Sequence, residues 1–246
     1  MNFGRKTGLN KGHNSLRKLG LIGGLSWVST ATYLEQINRF VQRRATRRTT
    51  APLLIESLDF ADAFDLREGA DWTRYGDELA KSASRLEQAG ATALLICANS
   101  MHRTYDQITA AVDIPVIHSA DCIGNKMAAD GVTNVALIGR RSVMIENFYR
   151  QRLVSHGVDL MAPDMGNVEL VDRIISEELM VGKTSRNAER ELRTIIAKKA
   201  QAGAKAIVLA CTELELVVDV DANVLPIYDS ARIHCEAAAD WILGKD

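Results

Sequence analysis

The sequence predicts an α/β protein of two pseudo-symmetric lobes, each a mainly parallel sheet covered by helices, with the functional site in the cleft between them. Three observations carry this expectation. Short β-branched and aliphatic runs alternate with amphipathic helical stretches, the pattern of parallel strands joined by crossover helices. A segment of the first half recurs without a gap in the second. Polar residues follow both copies of the recurring strand, and open parallel sheets present ligands beyond the carboxyl ends of their strands.

Strands are expected at 18–22, 53–57, 93–97, 116–118, 135–138, 206–210 and 226–228, each a short apolar run bounded by polar or turn residues. Helices are expected between them, among them 30–44, 72–89, 144–156, 168–180 and 185–202. Gly90 and Gly203 follow two of these helices, where a glycine stop is favoured.

The recurrence ties the elements together. Residues 89–100 (AGATALLICANS) match 202–213 (AGAKAIVLACTE), and each reads as a helix end, a glycine stop, a buried strand and a polar turn. Outward from there, 114–120 (IPVIHSA) parallels 225–231 (LPIYDSA), and 19–23 (LGLIG) parallels 135–139 (VALIG). A duplicated unit related by a pseudo-twofold axis follows. The expected division is lobe one from 18–117 plus 227–246 and lobe two from 118–226, with 1–17 as a flexible basic tail.

Composition narrows the function. With 30 basic against 31 acidic residues among 246, the net charge of -1 offers no basic excess for a nucleic-acid or anionic-membrane partner. The apolar runs stop well short of the ~20 residues a membrane helix needs. Four cysteines without metal spacing in a chain this long suit a reducing cytoplasm rather than a disulfide scaffold.

Cys211, Thr212 and Glu213 follow the second copy of the strand. Free backbone N–H groups at such a strand end favour an anion, so the Cys211 thiol is expected to fall from ~8.5 towards ~7 and to serve as an acid or base. A buried cysteine acting only as a small apolar side chain is the alternative. In the first copy the residue matched to Cys211 is Ala98. Cys97 lies one step earlier, which in a strand points it to the opposite face and into the core. Asn99 and Ser100 bring an amide and a hydroxyl beside turn N–H groups, a cradle for a carboxylate or plain turn chemistry. His118 and Asp229 stand at matched strand ends, as site residues or helix caps. His102 is either a substrate contact or a partner of nearby backbone. Gly23-Gly24 lacks the full dinucleotide fingerprint.

Together these segments resemble the aspartate/glutamate racemase family. The likeness rests on Gly23-Gly24-Leu25-Ser26-Trp27 with Ser29-Thr30 and Tyr33, on Asn99-Ser100-Met101-His102, and on Cys211-Thr212-Glu213, in order from about Lys18 onward. It implies a two-domain α/β fold, commonly a dimer, with neither pyridoxal phosphate nor metal. It also implies a pair of thiols, or a threonine and a thiol, flanking the α-carbon of a small carboxylate such as an amino acid. By the same resemblance Ser26, Asn99, Ser100, Thr212 and Glu213 are substrate-binding candidates. A stereocentre is inverted when one group removes a proton from one face and a second supplies one to the other, which suits two matched strand ends.

At the position of the family's first acid–base residue this chain has Ala98, and a methyl group cannot transfer a proton. Three readings follow: a racemase in which that group has been replaced, a relative that needs only Cys211, or a site where Ser100 or an ordered water serves instead. A more distant likeness to arylmalonate decarboxylase gives the one-thiol reading a mechanism, since loss of carbon dioxide creates a carbanion that one thiol can protonate. The alternative function is therefore a single-cysteine lyase, decarboxylase or isomerase, or an inactive carboxylate binder.

Overall fold

Strand-length apolar runs assemble, in the computed structural model, into two four-stranded sheets. The structure describes residues 16–59 and 71–245. Strands β1 (Leu19–Gly23), β2 (Leu53–Ser57), β3 (Ala93–Ile96) and β4 (Val116–Ile117) form the first sheet in the order β2-β1-β3-β4. Strands β5 (Asn134–Gly139), β6 (Asp159–Leu160), β7 (Ala206–Ala210) and β8 (Ile227–Asp229) repeat that order in the second, β6-β5-β7-β8. All pairings among the described residues are parallel. The inner strands β1, β3 and β7 are buried along their whole length, as strands covered on both faces must be. Strand β8 pairs with β7, so 227–229, which the expected division assigned to lobe one, lie in the second sheet.

Alternation along the strands sorts side chains between two cores. In β3, Ala93, Leu95 and Cys97 point to one face of the sheet, and Leu94 and Ile96 to the other. In β7, Ala206, Val208 and Ala210 face one way, and Ile207, Leu209 and Cys211 the other. Cys97 is therefore a fully buried core residue on the face opposite to that of the Cys211 register, as the one-residue step requires.

Helix α1 (Trp27–Arg44) begins three residues before the expected start at 30, because Ser26 caps it by accepting from the Ser29 N–H. Helix α2 (Trp72–Gln88) is capped by Asp71, and α3 (Tyr105–Ala110) follows a 3-10 turn, Asn99–Thr104. Helix α4 (Ser119–Asp130) ends at Gly131, whose φ of 68° is the left-handed conformation of a helix stop. The expected continuous helix 144–156 is instead two, α5 (Arg141–Ile145) and α6 (Asn147–Ser155), with Glu146 extended between them. The break has a cause. Arg150 Nη1 donates to the Met144 carbonyl at 2.9 Å, taking an acceptor the helix would need, while the Glu146 carboxylate pairs with Arg103. Helix α7 (Met165–Glu177) starts at its Asp164 cap and passes into a 3-10 turn, Leu179–Val181. Helices α8 (Arg186–Gln201) and α9 (Ser230–Ile242) complete the order.

The last helix of each half packs against the other half's sheet. Helix α4 buries Ala120, Ile123 and Met127 against β5 and β7, whereas α9 buries Ala231, Cys235, Ala238 and Ile242 against β1, β3 and α1. Residues 1–15 of the expected tail lie outside the described residues. Arg17, also assigned to that tail, donates its N–H to the Ile242 carbonyl at 3.0 Å and sets its guanidinium 4.7 Å above the Trp241 ring.

Candidate active site

The carboxyl ends of β1, β3, β5 and β7 meet around one cavity. Leu25 follows β1, Ala98, Asn99 and Ser100 follow β3, Arg140 follows β5, and Ala210 to Glu213 close β7. Met180, from the turn after α7, completes the wall. Both copies of the duplicated strand thus open on one space, and Ala98 lines it together with Cys211. Ser26 is absent from this lining, and its hydroxyl is engaged in capping α1.

Cys211 is buried and donates its thiol proton to Glu213 Oε2 at 3.0 Å, the same oxygen that accepts from Thr212 Oγ1 at 2.7 Å. Burial first, and then the Glu213 carboxylate, push the thiol well above its ordinary value. This corrects the expectation of a lowered thiol: burial and the carboxylate two residues on outweigh the favourable Glu213 N–H and Arg140 contributions. Cys211 stands here as a protonated thiol aimed at a base.

Asn99 does a different job from the one its turn position suggests. Its amide nitrogen donates to Ser230 Oγ at 2.7 Å, and its oxygen accepts from Ser119 Oγ at 2.8 Å. Those serines are equivalent in the duplication, each the first residue of its helix, α4 or α9. One buried amide therefore spans the pseudo-axis and fixes the backbone of the Asn99–Thr104 turn, whose leading N–H groups have no intrahelical acceptor.

Three buried imidazoles stand behind that turn. His102 Nε2 accepts from the Ser119 N–H at 3.3 Å, so its proton is on Nδ1, donated to the Ala98 carbonyl at 3.1 Å. His118 Nδ1 accepts from the Ala120 N–H at 3.1 Å, leaving a protonated Nε2 that finds no partner among the described residues. His234 Nε2 donates to the Ile117 carbonyl and Nδ1 accepts from Tyr33. Burial dominates in all three, lowering His102 to about 3 and His234 to about 4, with His118 also far below the usual range. They are neutral supports of the backbone. His118 and Asp229 are the helix caps that their matched positions allowed, Asp229 accepting from the Ala231 and Arg232 N–H groups.

Arg140 is the functional candidate that sequence reading missed. Its Nε donates to Asp172 Oδ1 at 2.7 Å and Nη1 to the Met180 sulfur at 2.9 Å, which holds a mostly buried guanidinium beside the cavity. A signal for it existed: the parallel between 19–23 and 135–139 runs directly into Gly24 on one side and Arg140 on the other. Gly24 has φ of 76° and any Cβ there would meet the Leu58 carbonyl oxygen at 2.0 Å, so that half can carry no cation.

Known proteins bear on this geometry. The model of the Asp/Glu/Hydantoin racemase family matches residues 22–238. The chain is similar to a putative Asp/Glu racemase from Yersinia pestis, with 36% identity over 93% of this chain and 100% of that one, at a TM-score of 0.85. An aspartate racemase homologue from Pyrococcus horikoshii OT3 matches at 29% identity over 92% and 99% of the two chains, with a TM-score of 0.80. Picrophilus torridus aspartate racemase shares the fold at 17% identity over 94% and 95%, with a TM-score of 0.74. By its family match over most of its length, its paired four-stranded sheets and the cavity at their strand ends, the chain belongs to the Asp/Glu/hydantoin racemase family.

Proposed function

We propose that the protein is a cofactor-independent racemase or epimerase acting on the α-carbon of an amino acid, with Cys211 as the acid–base group on one face and Ala98 at the position of the other. The observation that carries the reading is the meeting of the two duplicated strand ends in one cavity, with a thiol, a carboxylate and an arginine around it. Arg140 and the leading N–H groups of the Asn99–Thr104 turn are suited to a substrate carboxylate. Glu213 takes the thiol proton when Cys211 acts as base and returns it when Cys211 acts as acid. Ser100 and Thr212 add hydroxyls to the cradle; Ser26 supports it through the α1 cap.

Ala98 favours a second reading, in which proton transfer occurs on one face only and the protein is a single-cysteine lyase, decarboxylase or isomerase, or a carboxylate binder. Position 98 separates the two. We expect slow inversion by this chain, and Ala98→Cys or Ala98→Thr should raise racemisation by about 10²-fold or more, the worth of a positioned acid–base group. In deuterated water the Ala98 form should exchange the α-proton of one enantiomer without inverting it. Fast inversion of both enantiomers, indifferent to residue 98, would remove Ala98 from the proposed role.

A cytoplasmic homodimer completes the proposal. Trp27 and Leu34, 67% and 44% exposed, lie on one face of α1 seven residues apart, and the turn holding Val181, 55% exposed, packs beside Trp27. Sedimentation should give a dimer that Leu34→Glu dissociates, and a monomer at all concentrations would refute it.

A further inference from the structure

We propose that the second lobe holds a separate binding site for a small carboxylate with a short branched or aryl apolar tail, in a largely apolar recess behind β5. The recess is similar in extent to the space at the strand ends, so it suits a molecule of the size that the proposed function places there. Its inner wall is apolar: Ala136 and Ile138 from β5, Val168 and Val171 from α7, and Ile195 from α8, all buried.

The polar part of the lining is cationic. Arg150 is half-buried and spends its guanidinium on two backbone carbonyls, Met144 at 2.9 Å and Met161 at 3.4 Å, with no carboxylate partner among the described residues. Lys199, from the last turn of α8, is half-buried and forms no ion pair or side-chain hydrogen bond among the described residues. Asp164, the acid in the lining, accepts from the Asn167 N–H and from Asn167 Nδ2 at 2.7 Å and keeps its charge, so the lining as a whole carries a net positive charge. Burial lowers the pKa of Arg150, the mark of a desolvated charge without its counterion. Two cations at the edge of an apolar pocket call for an anion whose body is apolar, since an inorganic anion would leave the wall uncovered and a hydrocarbon would leave both charges unpaired. The site is independent of the proton transfer proposed above.

Isocaproate, titrated into the full-length protein with labelled Val, Ile and Leu methyl groups, tests the assignment. Saturable shifts are expected at Val168, Val171 and Ile195, separate from any at Leu25 in the strand-end cavity. The neutral isocaproamide should bind about tenfold more weakly, the worth of a charge-assisted hydrogen bond. Lys199→Met should weaken isocaproate by a similar factor while leaving the amide unchanged, and because Lys199 is only half-buried, thermal unfolding should show that the variant folds. Val171→Phe, which fills the cavity, should abolish the shifts. Absence of saturable shifts at these methyl groups, equal binding of acid and amide, or an affinity indifferent to Lys199→Met would overturn the proposal.

Discussion

The Cys211–Glu213 contact sets a definite expectation for single residues. Because burial and, after it, the Glu213 carboxylate hold the proton on sulfur, Glu213→Gln should let the thiolate form at lower pH, while Cys211→Ser should abolish any α-proton exchange and leave the fold intact. Ultraviolet thiolate absorbance, read as the difference from Cys211→Ser, measures this; an unchanged titration would show that Glu213 does not govern the thiol. Most residues around the cavity were legible in the sequence because the duplication marks strand ends by register. What register cannot give is the partner a side chain chooses. Ser26 carries a hydroxyl into the right segment and spends it on the α1 cap, Asn99 turns its amide towards two serines, and the thiol shift reversed sign because burial, and after it the neighbouring acid, counted for more than the backbone N–H groups.

Elements were legible where an apolar run was continuous and not where tertiary contacts decide. Strands β2 and β7 fall at their expected bounds, whereas β6 is a two-residue edge strand with one exposed member and no periodic signal. The break between α5 and α6 was hidden because it contains neither Gly nor Pro and depends on the Arg150 side chain. A pH effect also arises at this scale, where α1, the turn after β7 and the α9 cap converge. Glu215 accepts from Gln36 of α1 and faces Asp229, and burial followed by that neighbouring acid raises it from 4.5 to about 7. The folded protein therefore holds a proton that the unfolded chain releases near 4.5, so this contribution is complete below 4.5 and is lost as pH rises through about 7. Denaturation midpoints should show a component declining over that interval, and Glu215→Gln should remove it. A decline that persists in the variant would assign it to another group.

For the whole molecule, the exchange of α4 and α9 makes the lobes interdependent. Helix α9 contributes Ala231, Cys235, Ala238, Ala239 and Ile242 to the core of the first sheet, and its Ser230 holds Asn99 across the pseudo-axis. A chain ending after Asp229 should therefore expose the part of that sheet face and of α1 that α9 covers, bind hydrophobic dyes and lose resistance of β1 and α1 to proteolysis, even though every strand described above is present. A truncated chain as protease-resistant as the full one would mean that the first lobe needs no cover from α9. The same exchange has a consequence during synthesis. Strands β1 to β4 leave the ribosome early, yet the helix that shares with α1 the cover of one of their faces is translated only after β8. Until then, the nascent chain carries a parallel sheet face covered by α1 alone, the kind of surface on which chaperones act and aggregation begins. Synonymous slow codons placed just upstream of α9 would lengthen that exposure, so the yield of folded protein should depend on the speed with which the ribosome crosses that boundary.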